Sequence, residues 1–295
     1  MKQAFIDELE LLMSENKNIV TITADMGYSV FEGIQKKFPK RFFNTGITEQ
    51  SSTSIAAGLA LMGHEVYFYA QAPFITMRNF EQVRLDLAYN NLNVKLIGTN
   101  AGVSLNQLGV SHFAVEDVAI MRILPNFTVF TPGTPDEMRW CMQKSHTIKG
   151  PTYLRFTKTG TENIPMIPVI DGTDGVLFVS GGLLKKAKEL VDNLKKLKVS
   201  LSLYSVPVVS PFNKKQFIKQ AKNLPIFTLE EHSIVGGLGT IVSEAVVELR
   251  MHNPVTKFGL EHKFIHVTGS IEYLLKTNGI NIKRIQEVIM NQLKK

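Results

Sequence analysis

Arg41-Phe42-Phe43-Asn44-Thr45-Gly46-Ile47-Thr48-Glu49-Gln50 reads as a short apolar strand running into a glycine turn, with one carboxylate at the mouth of the next helix. That helix, Ser51 to Met62, carries Ile55, Ala56, Ala57, Gly58, Leu59 and Ala60 and is almost free of charge. Beside Ile47, Ile55 and these small residues the Glu49 carboxyl is expected to be partly desolvated. Burial favours its protonated form and the helix N-terminus its ionised form, so its proton is expected to be movable near neutrality. An isolated glutamate there would equally suit an exposed first turn, where acids are favoured. The rest of the chain decides between the two.

Upstream, Phe5, Leu9, Leu12 and Met13 recur at helical spacing and Ile19 to Ala24 is a mostly β-branched run, which predicts a helix and a buried strand. The strand ends at Asp25-Met26-Gly27-Tyr28-Ser29. Ligands of open α/β sheets gather outside the C-terminal strand ends, so Asp25 and Ser29 are candidates to face a site. Either also suits a turn or a helix cap.

Downstream the alternation continues. Helices are predicted near 30–38, 49–62, 76–90, 115–122 and 135–148, with strands over 66–70, 94–98, 127–131 and 152–156. The Pro- and Gly-bearing stretch 161–175 has no period and reads as a linker. Beyond it come strands over 176–180, 200–206, 226–229 and 264–267, with helices over 183–197, 214–221, 238–250 and 282–293. Strands alternating with helices give an α/β chain of two domains, 1–160 and 176–295, each a mostly parallel sheet flanked by helices.

Composition narrows the function classes. With 44% hydrophobic and 20% charged residues among 295, the chain is of ordinary globular type. The net charge of +7 is dispersed, without an aromatic-interleaved basic patch, which argues against nucleic acid. The single cysteine, Cys141, falls in a helical pattern with Met138 and Met142 and reads as core, which fits a reducing cytoplasm. No apolar run reaches membrane-spanning length and the N-terminus does not read as a signal peptide, so no membrane role is expected.

Several collinear motifs then resemble one family. They are Asn44-x-Gly-Ile-x-Glu-Gln with its Ala-Ala-Gly-Leu-Ala helix, Phe74-x-x-x-Arg78-x-Phe80-Glu81-Gln82-Val83-Arg84, and Gly109-x-Ser-His112-x-x-x-Glu116-Asp117. Arg122-x-Leu-Pro-Asn126-x-x-Val129-x-x-Pro132 and Glu230-Glu231-His232 with Gly236-Gly237-Leu238-Gly239 follow in order. Together they resemble the pyrimidine-binding and C-terminal domains of the transketolase family of thiamine-diphosphate enzymes.

The resemblance implies roles. Glu49 would hydrogen-bond the cofactor's aminopyrimidine and favour the imino tautomer that generates the thiazolium ylid. Phe74 would stack on the pyrimidine, with Ile47, Met26 and Arg78 as further cofactor contacts, although a Phe, Ile or Met taken singly is more often core. His112 would contact sugar hydroxyls and move protons, which suits an imidazole. His232 would organise its loop.

Departures from the family pattern point to altered substrate recognition. Leu108 stands where an aspartate usually binds a substrate hydroxyl, Asn100 where a second histidine is found, and Lys158 where a phosphate-binding arginine is found. Ser29 matches a phosphate-contacting serine.

The family's diphosphate- and metal-binding domain has no counterpart in this sequence, and the Asp-Gly pairs at 171–172 and 174–175 precede a strand and do not suit a ligand loop. The expectation is a split enzyme: a separately encoded N-terminal subunit supplies the Mg²⁺ (or Ca²⁺) and diphosphate site, in an α2β2 assembly. The implied reaction is transfer of a two-carbon ketol unit from a phosphorylated or otherwise anionic ketose to an aldose. A decarboxylating carboligase, a 2-oxo acid dehydrogenase β-type subunit and a non-catalytic scaffold are the competing readings.

Overall fold

The structure, a computed structural model, describes residues 1–158 and 170–293; the expected linker falls largely outside them. The first seven strands in chain order are β1 (Ile19–Thr23), β2 (Phe42–Asn44), β3 (Glu65–Gln71), β4 (Val94–Thr99), β5 (Thr128–Phe130), β6 (Thr152–Arg155) and β7 (Gly175–Ser180). They are followed by β8 (Leu201–Ser205), β9 (Val208–Ser210), β10 (Ile226–Ser233) and β11 (Val255–Leu260). A 7-stranded sheet has the order β2-β1-β3-β4-β6-β5-β9, and a 4-stranded sheet the order β11-β10-β7-β8. All pairings are parallel except that of β9 with β5. Strands β1, β4, β7 and β8 are buried along their whole length, as strands covered by helices on both faces must be.

Two differences from the sequence reading have clear causes. The last strand of the second sheet is Val255–Leu260, and Phe264 to Val267 lie in an irregular loop, with Phe264 70% exposed. Thr256, Lys257 and Gly259 break the apolar pattern of the true strand, whose first three residues are not buried. The helix expected over 76–90 is built from π-helical turns at Phe74–Arg78 and Val83–Tyr89 around a short α turn, Phe80–Gln82. Such turns widen the helix and re-aim its side chains, often at functional sites.

The two sheets are stitched together. β9 follows β8 by two residues yet joins the other sheet, and Thr131 donates from Oγ1 to the Val206 carbonyl at 2.9 Å. One apolar cluster contains Phe68, Val129 and Tyr153 of the first sheet together with Phe178, Ile226 and Leu238 of the second unit.

A buried polar clamp reinforces this junction. Arg155, at the end of β6, donates from Nε to Asp117 Oδ2 at 2.7 Å and from Nη2 to the Glu231 carbonyl of β10 at 2.8 Å. Tyr153 donates to the same Asp117 oxygen at 2.6 Å. Next in β10, Glu230 accepts the Leu238 and Gly239 N–H groups at 2.6 and 2.9 Å and so caps helix Leu238–Glu248. His232 is buried, with Nδ1 donating to the Ser233 carbonyl at 2.8 Å and Nε2 accepting the Ala119 N–H.

These groups set a pH dependence. Burial pushes the Glu230 carboxyl up to about 7 from its ordinary 4.5, outweighing the two N–H bonds that pull it down. Across that window the folded protein keeps a proton that the unfolded chain releases, so Glu230 makes stability fall as pH rises. Burial pushes His232 the other way, down to about 4 from 6.5, so its contribution rises with pH between those values. Glu230→Gln should therefore remove the falling contribution, whatever its absolute stability. In urea denaturation at pH 5 and pH 7, the variant should gain stability at the higher pH relative to the unmodified chain; an identical pH dependence would refute the assignment.

Candidate active site

The turn before Glu49 is organised by Asn44. Its Oδ1 accepts the backbone N–H groups of Asp25 at 2.9 Å and Gly46 at 3.1 Å, tying the ends of β1 and β2 together. Gly46 sits at φ 75, in the left-handed region that glycine enters at no steric cost. The chain then enters helix Glu49–Leu61, with Thr48 at its N-cap.

Glu49 is only 3% exposed; of its expected apolar neighbours Ala56 and Ala57 are buried, whereas Ile47 is 69% and Ile55 46% exposed. The ionic partner of Glu49 comes from the π-helical segment. Arg78 donates from Nη1 to Glu49 Oε2 at 2.6 Å. Thr53 Oγ1 donates to the Glu49 carbonyl at 2.7 Å and accepts from Asn79 Nδ2 at 2.6 Å, which locks the segment onto the helix.

Arg78 also lies over Phe74, with Cζ 3.9 Å from the ring centroid. Phe74 meets the His112 ring edge-on, centroids 5.1 Å apart at 69°. Glu49, Arg78, Phe74 and His112, drawn from three separate stretches of sequence, thus form one continuous line of contacts. Ser111 Oγ lies 3.0 Å from His112 Nδ1.

The loop carrying His112 is closed at its base by a two-way bond between Gly102 and Ala114, at 2.9 and 3.0 Å. Residues of β10, of β6 and of the loop at Gly269 hold it. Glu231 Oε1 accepts the Val103 N–H at 3.0 Å, Arg155 Nη2 reaches the Ala114 carbonyl at 3.2 Å, and Asn106 donates to the Gly269 carbonyl at 2.5 Å.

The other sequence candidates stand on the same rim, after the C-terminal ends of parallel strands. Asp25 and Met26 line a cavity of about 240 Å³ with Gly27, Phe31 and Asn44. Ser29 donates its N–H to Glu32 Oε1 at 2.6 Å, a turn arrangement, and its side chain is exposed. Asn100 follows β4 and donates to Gln71 Oε1 at 2.9 Å. Lys158 is exposed, its backbone N–H bonded to Ser104 Oγ at 3.0 Å, and Leu108 is 55% exposed. None of these touches the Glu49–His112 line through the hydrogen bonds, ion pairs and ring contacts of the described residues. A larger cavity of about 510 Å³, lined by Trp140, Phe178, Phe212 and Phe217, lies at the sheet junction and includes no candidate residue.

Sequence reasoning missed Asn44 as the organiser of the turn, Asn79 as the lock and Arg155 as the clamp. Only Asn44 carried a signal, since an asparagine two residues before a glycine suits a side-chain-bonded turn.

Comparison with known proteins agrees with this architecture. Residues 1–162 match the transketolase pyrimidine-binding domain, and residues 168–285 the transketolase C-terminal domain. The chain belongs to the transketolase family. It is 30% identical to a putative transketolase C-terminal section from Methanocaldococcus jannaschii, over 100% of this chain and 96% of that protein. It is 32% identical to a subunit of the apulose-4-phosphate transketolase of Actinobacillus succinogenes, over 87% of this chain and 86% of that subunit. Its fold superposes on a solved structure described as a split gene transketolase, inactive beta4 tetramer, with TM-score 0.90, 31% identity and coverage of 99% and 98%. The transketolase family depends on thiamine diphosphate.

The loop clamp can be tested at Gly102, which sits at φ +64 with the Glu231 carboxylate where a Cβ would fall. Gly102→Ala should cost about 1–3 kcal/mol and speed amide hydrogen exchange through residues 103–113. Unchanged exchange in that loop would show that the contact does not hold it.

Proposed function

We propose that this chain is the C-terminal subunit of a split transketolase-type enzyme that moves a two-carbon ketol unit from an anionic ketose to an aldose. The observation that carries the reading is the seat above Phe74, where the N–H-bearing guanidinium of Arg78 lies over the ring and is bonded to the buried Glu49. An aminopyrimidine asks for that combination of a flat apolar face and a carboxylate beside a ring nitrogen. The residues present therefore fit thiamine diphosphate, which when bound supplies the nucleophilic carbon and the electron sink for carbon–carbon cleavage.

Each residue then has a task. Glu49 holds and shares a proton at the ring nitrogen, and its burial keeps water from competing for that proton. Phe74 fixes the ring plane, with Met26 and Ile47 as flanking contacts. His112, next to Phe74, is within reach of substrate hydroxyls and moves protons there. Asp25, Ser29, Asn100 and Lys158 line the rim where the sugar and its anionic group would lie.

The division into units 1–160 and 176–295 joined by 161–175 belongs to the same reading. So does a separately encoded N-terminal subunit that holds the diphosphate through Mg²⁺ (or Ca²⁺), in an assembly of two copies of each chain. Support comes from two relatives, one named as a C-terminal section and the other as a single subunit of a transketolase, whose lengths this chain nearly spans. We assign the assembly to the cytoplasm, in keeping with a lone, buried, unpaired cysteine, Cys141.

Glu49→Gln keeps the shape and removes the proton-holding group. In the reconstituted enzyme it should lower turnover by about 10²–10⁴-fold with an unchanged far-ultraviolet circular dichroism spectrum. Full activity in the variant would contradict the role of Glu49, and release of carbon dioxide from pyruvate by the unmodified enzyme would replace ketol transfer with decarboxylating carboligation.

A further inference from the structure

The Glu49–Arg78 contact has a geometry that a simple surface ion pair does not require. Glu49 is 3% exposed and fixed in the first turn of its helix, whereas the Arg78 side chain is 40% exposed. The carboxylate is the immobile partner, and the guanidinium has an open route to solvent. The backbone beneath the arginine is held independently, because neighbouring Asn79 is buried and bonded to Thr53 at 2.6 Å. Movement of Arg78 therefore needs only side-chain rotation.

The guanidinium also satisfies both surfaces of the seat at once. It donates to Glu49 Oε2 at 2.6 Å and lies 3.9 Å from the Phe74 centroid. A planar cation with several N–H donors can stack and hydrogen-bond together, which a lysine ammonium cannot do in the same way. While it does so, neither the Oε2 acceptor nor that face of Phe74 is available to another flat ring.

We infer that Arg78 is a placeholder: its guanidinium fills the aminopyrimidine seat on Phe74 and Glu49 in the unloaded chain and must swing out before the cofactor ring enters. This rests on the reading of Glu49 and Phe74 as that seat. The device keeps a buried carboxylate partnered while the site is open, since an unpaired one would be costly. It also makes loading a competition between two flat groups for the same two partners. Arg78 accordingly opposes binding of the pyrimidine, the reverse of what an ordinary ligand contact does.

The test uses the full chain and the pyrimidine half alone, 4-amino-5-hydroxymethyl-2-methylpyrimidine, titrated by NMR. Arg78→Met keeps the length of the stem and removes the fork. It should bind the probe about tenfold more tightly than the unmodified chain, the equivalent of one charge-assisted hydrogen bond released from competition. Arg78→Lys, which retains the charge, guards against a folding defect in the first variant and should fall between the two. Glu49→Gln should bind more weakly than the unmodified chain. Weaker or equal binding by both Arg78 variants, with Glu49→Gln still impaired, would overturn the placeholder and leave the seat intact. Binding unaffected by Glu49→Gln, or absent from both the unmodified chain and Arg78→Met, would overturn the placeholder together with the seat on which it rests.

Discussion

The buried pair of Arg155 and Asp117 is the constraint on which the rest of the molecule depends. The two side chains are 2% and 0% exposed, so the charges are tolerable only because their hydrogen bonds are directed. Arg155 spends its donors on Asp117, on the Ala114 carbonyl at the base of the His112 loop, and on the Glu231 carbonyl in the other sheet. One side chain therefore fixes three elements. Apolar packing alone would hold the sheets together, but it is non-directional and would not set the base of a loop to within a hydrogen bond.

From that clamp the site follows by short steps. The second sheet contributes no member of the Glu49–Arg78–Phe74–His112 line, but through Glu231 and Gly269 the second unit holds the loop that brings His112 against Phe74. On the other side, Asn44 ties β1 to β2 and sets the glycine turn before Glu49. The π-helical segment then lays Arg78 and Phe74, four residues apart, against each other. The buried Glu49 is thus paired with a polar partner from a distant stretch, and Ile47, two residues before it, faces outward.

Much of this was legible in the chain. Ile19–Thr23 and the four residues 176–179 within Gly175–Ser180 are continuous apolar or β-branched runs, as parallel strands buried on both faces require, whereas Val94–Thr99 is such a run interrupted by Lys95. The motif around Asn44 and Glu49 marked a turn and a helix mouth at a strand end, where they stand. Strand β9 was not legible, because Val208–Ser210 is three residues long, lies between Pro207 and Pro211, and gains its ladder only from the other sheet. The exposure of Ile47 was hidden for a similar reason. Hydrophobicity along the chain does not say which side of a glycine turn faces the core, and the residue that pairs with Glu49 lies 29 positions away. The π turns carry no period that distinguishes them from an α-helix over so few residues.

The central claim is that this chain is one part of a two-chain thiamine-diphosphate enzyme. Its most direct test is native mass spectrometry of the tagged chain, purified from its own cells with magnesium and thiamine diphosphate present. The account predicts a second, co-purifying protein and bound cofactor in a complex containing two copies of each chain. A homo-oligomer of this chain alone, without cofactor and persisting across mild purification conditions, would contradict it.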